Sequence, residues 1–141
     1  MNNINFGRVL LGGLVTGLVL NIGEFLLNGV VLAKQMEAQF FRKLNIPPPT
    51  PSSLAVLVVI TFVLGIVIVF VYAAIRPRFG AGPKTAVITG LTAWFCVYLY
   101  GNVGGVALGF IPVNMAAIAI AWGVVEYLLG TLAGAWLYKE A

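Results

Sequence analysis

Two glutamates, Glu24 and Glu126, lie within long apolar segments, where a charged side chain is energetically unfavourable. Each lies near the middle of a long apolar segment, and no apolar segment of the chain contains Lys, Arg or His to neutralise it. A charged side chain at the centre of a membrane costs about 3 kcal/mol on insertion scales. Such a carboxyl group takes up a proton, binds a proton or cation in a cavity, or meets a basic group on a partner.

Small and polar residues accompany both glutamates at helical spacing. On the first apolar segment, steps of four, four, three and four place one stripe along a helix face: Gly13, Gly17, Asn21, Glu24 and Asn28. On the last segment, steps of three, four and four join Gly123, Glu126, Gly130 and Gly134. Glycines at this spacing let another helix approach closely, so these five glycines predict helix packing.

The polar members of these stripes predict one site. We expect Glu24, Glu126, Asn21 and Asn28 to form a site for a cation or proton, with the asparagines as neutral ligands. The alternative interpretation is that the two glutamates are protonated and hydrogen-bond the first helix to the last.

Two further patterns are typical of packing and anchoring. Steps of four, three and four place a mildly polar stripe on the third segment, which favours helix packing: Thr85, Thr89, Thr92 and Cys96. Aromatic residues near the segment ends are expected to anchor at lipid headgroups: Tyr72, Tyr98, Tyr100, Trp136 and Tyr138.

No residue combination typical of catalysis or cofactor binding is found in the sequence. There is no His and no Asp, which argues against haem, zinc or copper sites. The glycine-rich stretch 101–105 lacks the lysine of a phosphate-binding loop. We therefore predict a protein that is not an enzyme, with no catalytic residue, no metal site and no cofactor.

The composition indicates a chain that is solvated by lipid. Of its 141 residues, 61% are hydrophobic and only 9% are charged, whereas a soluble domain carries about 25% charged residues. The net charge of +4 comes from basic residues that lie between the apolar segments and form no cluster. This distribution is typical of membrane-edge residues and argues against nucleic-acid binding.

Four apolar segments predict an all-α fold, an integral membrane four-helix bundle in a single transmembrane domain over residues 1–141. The expected spans are about 9–33, 54–75, 85–108 and 114–138. The third either continues through the glycine-rich stretch or breaks there. Residues 35–46 predict an amphipathic helix that lies in the membrane interface or extends the first span, and prolines then force an extended connection.

The orientation follows from the distribution of basic residues. With four spans, the N-terminus, the second connection and the C-terminus share a side, which holds Arg8, Arg76, Arg78, Lys84 and Lys139. The other side holds Lys34, Arg42 and Lys43. The excess predicts both termini in the cytoplasm, in a multi-pass protein of a cell membrane, the bacterial inner membrane.

The layout resembles that of small four-helix bacterial membrane proteins of unknown function. The shared pattern is a short polar N-terminus, an amphipathic first connection and a last span that ends in a Gly-Ala-rich run, here residues 132–136. The resemblance covers the whole chain and brings no known activity. Small multidrug transporters also have four helices and a glutamate in the first, but this chain departs from them in its proline-rich first connection and in Glu126.

Three functional hypotheses follow. A short chain of four glycine-rich helices favours a non-enzymatic subunit of a membrane assembly, built from copies of itself or with other membrane subunits in the lipid bilayer. The second hypothesis is a small proton- or cation-coupled transporter or channel that uses Glu24 and Glu126. The third is a subunit that binds pigment or lipid.

Overall fold

The computed structural model describes residues 3–140 and is helical, with no strand in that range. Its long helices are α1 (Phe6–Val31), α3 (Pro51–Phe79), α4 (Pro83–Ala107) and α5 (Val113–Leu137). The shorter helix α2 consists of the α-helical turn Ala33–Met36 and the π-helix Glu37–Lys43 that continues it. By length and apolar composition, each long helix is able to cross a membrane, which marks a multi-pass membrane protein. The all-α class with four candidate spans is confirmed.

Prolines and glycines set the helix ends. Thr50 caps α3 by accepting a hydrogen bond from the Ser53 amide at 3.2 Å, and Pro51 takes the first helical position. The helix α4 runs through the whole glycine-rich stretch and ends at Ala107, two residues before Gly109, whose φ of 79° is a conformation that glycine reaches without strain.

Two π-helical segments change the register of the helices that contain them. They cover Leu27–Val31 at the end of α1 and Phe95–Leu99 within α4. A π-segment inserts extra residue length into a helix and rotates the following side chains. In α4, Thr89 and Tyr98 are buried on the two sides of this segment, whereas Thr92 and Cys96 of the predicted packing stripe are exposed, so that stripe is not a packing face along its whole length.

Close backbone contact joins α1 to α5. A Cβ atom added to Gly12 would lie 2.6 Å from the carbonyl oxygen of Gly134. The Thr16 hydroxyl donates a hydrogen bond of 2.8 Å to the carbonyl oxygen of Gly130. Because neither helix carries a bulky side chain here, the two backbones pack directly against each other.

A neighbouring face of α1 packs against α3. Gly13 lies against Ile66, Gly17 lies against Phe62, and Gly65 of α3 faces the backbone of both glycines. The helix α1 therefore presents two adjacent small-residue faces, one to α3 and one to α5.

The termini and the second connection lie at the same end of the molecule. The Asn5 amide donates to the Tyr138 hydroxyl at 3.3 Å, and Arg76 Nη1 lies 3.3 Å from Glu140 Oε1. The Tyr72 hydroxyl accepts from the Gly82 amide at 3.1 Å. Tyr72 and Tyr138, which the sequence predicts as headgroup anchors, are buried in these contacts and pack against protein. Trp136, a third predicted anchor, is exposed.

Candidate functional site

The Tyr98 hydroxyl contacts both intramembrane glutamates. It donates a hydrogen bond to Glu24 Oε1 and lies 3.2 Å from Glu126 Oε2. The three side chains come from α4, α1 and α5. Glu126 and Tyr98 are buried, with 4% and 6% of their surface exposed, while Glu24 is half-buried. We call Glu24, Tyr98 and Glu126 the carboxyl–phenol cluster.

Two glycines make room for this cluster. A Cβ atom at Gly123 would lie 2.5 Å from Tyr98 Cγ, and one at Gly23 would lie 2.6 Å from Glu126 Cδ. The phenol ring therefore rests on the backbone of α5, and the Glu126 side chain rests on the backbone of α1. Of the five glycines predicted to pack helices, Gly123 thus lies under the cluster, whereas the others lie at the contacts of α1 with α3 and α5.

Two aromatic residues of α5 hold the surroundings in place. The Trp122 indole N–H donates to the Gly23 carbonyl oxygen at 3.1 Å, and the Tyr127 ring packs edge-on against Tyr98 with centroids 5.3 Å apart.

Glu126 Oε1 is buried and has no hydrogen-bond partner within residues 3–140. A buried acceptor without a donor costs about 1–3 kcal/mol, so a negative charge on this oxygen is unfavourable.

The two predicted asparagines have different surroundings. The Asn28 side-chain amide donates to Glu24 Oε2 at 3.0 Å and is itself exposed, so it extends the cluster to the molecular surface. The Asn21 amide donates to the carbonyl oxygens of Gly17 at 2.9 Å and Val58 at 3.4 Å, toward α3. The structure therefore brings Glu24, Glu126 and Asn28 together and places Asn21 outside the site.

Tyr98 is the member that the sequence reasoning missed. Its position near the end of the apolar segment predicts a headgroup anchor, but α4 continues to Ala107 and leaves Tyr98 well inside the helix. The π-segment also removes Tyr98 from any stripe with a spacing of 3.6 residues. Of the two alternatives for the third span, only the one that continues through the glycine-rich stretch places this phenol well inside the helix, and the expectation of a headgroup anchor at Tyr98 did not follow from it.

The cluster has no cation from its own chain in the described range. The ion pairs of residues 3–140 join Arg42 to Glu37 and Arg76 to Glu140, outside the cluster. Tyr98 has one hydroxyl hydrogen and can donate it to only one carboxylate. If one glutamate carries a proton, each of the two contacts of the Tyr98 oxygen has its own hydrogen: the phenol donates to one carboxyl group and the protonated carboxyl group donates to the phenol oxygen. The cluster then carries one negative charge instead of two.

In residues 3–140, no group of three or more His, Cys, Asp or Glu side chains comes together in a way that could hold a metal ion. What the arrangement can do chemically is hold a proton between two carboxyl groups and pass it through a phenol.

No protein-family model matches the chain, no curated protein is significantly similar to it, and no solved structure matches its fold. The resemblance to small four-helix bacterial membrane proteins therefore stays a prediction.

Proposed function

We propose that this chain is a non-enzymatic membrane protein that takes up and releases a proton at the carboxyl–phenol cluster, as a small proton-coupled transporter or channel. The contact of the Tyr98 hydroxyl with both carboxyl groups carries the proposal. A phenol between two carboxyl groups accepts a proton from one as it donates its own to the other. The total charge of the three groups is unchanged in this step, which avoids forming a second buried charge.

The hydrogen bonds extend from the surface to the middle of α5. Asn28 is exposed and bonds to Glu24, Glu24 bonds to Tyr98, and Tyr98 contacts buried Glu126. On the far side of Glu126, toward the termini, buried hydroxyls occur on three helices at Thr16, Thr85, Thr89 and Thr131. Three of these hydroxyls donate to backbone carbonyl oxygens, whereas Thr131 Oγ1 is buried with no hydrogen-bond partner within residues 3–140. Thr131 is therefore the hydroxyl best suited to continue a proton route beyond Glu126.

Proton flux into liposomes tests this proposal. We expect purified protein to carry protons along an imposed gradient, measured with a pH-sensitive dye enclosed in the vesicles. Glu24→Gln, Glu126→Gln and Tyr98→Phe each remove one step and should abolish the flux. Tyr127→Phe is the matched control, because it removes the neighbouring phenol oxygen, for which no hydrogen bond is found within residues 3–140, and should keep the flux. Equal flux in all five proteins would contradict the proposal.

Both termini are proposed to face the cytoplasm of a bacterial cell. The contacts of Asn5 with Tyr138 and of Arg76 with Glu140 support this, because they gather the termini and the second connection at one end. Five basic residues belong to that end, against three at the other. Reporter fusions after residue 141 and near Pro49 test the orientation, and a periplasmic signal from the C-terminal fusion would overturn it.

The helix α2 is proposed to lie in the membrane interface. Its Phe40 and Phe41 are half-buried, whereas Arg42 and Lys43 are exposed, as expected of an amphipathic segment at the headgroups. The buried Gln39 amide donates to the Phe110 carbonyl oxygen at 3.0 Å and holds α2 against the connection between α4 and α5. A cysteine at Arg42 should therefore react with a water-soluble maleimide, and a cysteine at Phe40 should not.

A second candidate function, membrane assembly, is favoured by the outer edge of the cluster. Asn28 is exposed and Glu24 is half-buried on a helix that otherwise suits lipid. A polar edge at this depth is more stable against another protein surface than against lipid. Native mass spectrometry in mild detergent should show an oligomer that Asn28→Leu weakens and Trp136→Leu, at a distant exposed site, leaves intact. A monomer with no co-purifying subunit would remove this candidate.

A further inference from the structure

An apolar groove lies at the end of the molecule away from the termini, between α2 and the C-terminal part of α4. Its volume is about 1040 Å³, at the upper end of the roughly 300–1,000 Å³ of ligand-binding cavities. Phe40 and Leu44 contribute to one wall, and Tyr100, Gly104 and Leu108 to the other. The groove is open along its side, which faces the lipid in a membrane-spanning molecule.

Backbone and side-chain hydrogen bonds hold the two walls in place. Buried Gln39 ties α2 to the Phe110 carbonyl oxygen at 3.0 Å. The Phe110 amide donates to the Gly105 carbonyl oxygen at 2.8 Å, and the Ile46 amide donates to the Phe40 carbonyl oxygen at 2.8 Å. The groove is therefore formed before any ligand arrives, which lowers the ordering cost of binding.

Glycines give the groove its depth. A Cβ atom at Gly101 or Gly104 would meet no other atom within 4 Å, so both glycines border open space. Gly105 differs, because a Cβ there would lie 2.5 Å from the side chain of Ile111, which also lines the groove. An apolar, unfilled space at the membrane boundary fits a hydrocarbon chain.

The basic residues of α2 supply the complementary charge. The segment 34–43 holds Lys34, Arg42 and Lys43 against the single acidic residue Glu37, whose Oε1 lies 2.6 Å from Arg42 Nη2. Lys43 is exposed and lies next to Leu44 of the groove wall. A positive segment beside an apolar groove matches an anionic headgroup above an acyl chain.

We propose that this groove binds one anionic glycerophospholipid. An acyl chain occupies the space lined by Gly101, Gly104 and Leu108, and the phosphate lies near Lys43 and Arg42. The site is independent of the carboxyl–phenol cluster, because no groove residue belongs to that cluster.

Native mass spectrometry of lipids retained from nanodiscs tests the proposal. The nanodiscs hold equal amounts of phosphatidylglycerol and phosphatidylcholine with the same acyl chains. We expect one retained lipid per chain, with phosphatidylglycerol favoured roughly fivefold by the net charge of the segment. Gly104→Leu fills the groove and should remove the retained lipid. Gly29→Leu is the matched control, since a Cβ there meets only the Phe25 ring at 3.7 Å, and it should retain the lipid.

The double variant Arg42→Gln/Lys43→Gln separates the headgroup from the chain. Both side chains are exposed, so the protein should fold normally, retain one lipid and lose the preference for phosphatidylglycerol. This variant decides the question if Gly104→Leu fails to fold. Equal retention of the two lipids by wild type would overturn the proposal. Unchanged lipid retention by Gly104→Leu would also overturn it. In a separate crosslinking experiment with a cysteine placed at Gly104, the recovery of a crosslinked polypeptide would show that a protein segment occupies the groove, and this too would overturn the proposal.

Discussion

Replacing Tyr98 by phenylalanine removes the hydroxyl that contacts Glu24 and Glu126 and keeps the ring that lies on Gly123. A hydrogen bond to a charged group contributes about 1.5–3 kcal/mol, and the loss leaves the buried Glu126 and the half-buried Glu24 without the donor between them. We expect the free energy of unfolding to fall by about 2–3 kcal/mol. This corresponds to a roughly 30- to 150-fold change in the ratio of folded to unfolded protein.

The matched control is Tyr127→Phe. It makes the same chemical change in a buried ring whose centroid lies 5.3 Å from that of Tyr98. No hydrogen bond of its hydroxyl is found among residues 3–140, so the expected loss is below about 1 kcal/mol. A difference between the two variants therefore reports the bridging hydroxyl rather than the loss of a phenol oxygen.

Unfolding in mixed micelles, followed by tryptophan fluorescence as the fraction of denaturing detergent rises, measures both variants. A double-mutant cycle with Glu24→Gln adds a test of the contact itself. If the Tyr98 hydroxyl bonds to the Glu24 carboxylate, Tyr98→Phe costs less in the Glu24→Gln background, with a coupling of about 0.5–3 kcal/mol. Equal stabilities of Tyr98→Phe and Tyr127→Phe would refute the bridge. A coupling of zero would show that the acceptor is not a charged Glu24 carboxylate, because the amide oxygen introduced by Glu24→Gln still accepts a hydrogen bond.

Other substitutions test the surroundings of the cluster and the groove. Gly123→Ala should displace the Tyr98 ring and destabilise the protein by about 1–3 kcal/mol, whereas Gly101→Ala places a methyl group in open space on a helix and should be neutral or stabilising. Thermal unfolding compares the two variants. A melting temperature of Gly101→Ala below that of wild type would contradict the assignment of open space. Gln39→Leu removes the bond to the Phe110 carbonyl oxygen, so the amides of α2 should exchange faster with deuterium, and an unchanged exchange rate would show that this bond does not hold α2 in place.

The choice of helical face shows where sequence reasoning succeeded in part. The spacing of Gly13, Gly17 and Glu24 places all three on one stripe, and α1 does use its glycines for close packing. The structure divides this stripe, because α3 covers Gly13 and Gly17 while Glu24 contacts Tyr98. A second small-residue face of α1 contacts α5 through Gly12, Thr16 and Gly23, which are also at helical spacing, at steps of four and seven. This face was not predicted from the sequence.

Apolar length by itself determined the four membrane helices, because a backbone in lipid must satisfy its hydrogen bonds within each span. The same cost of burying charge singled out Glu24 and Glu126 before any contact was known. Only the tertiary structure decided that Tyr98 joins them and that Asn21 does not. The π-segment of α4 rotates Tyr98 inward, and the placement of α3 turns Asn21 away. Both effects depend on how helices pack against one another, which a repeat of 3.6 residues along a single helix does not encode.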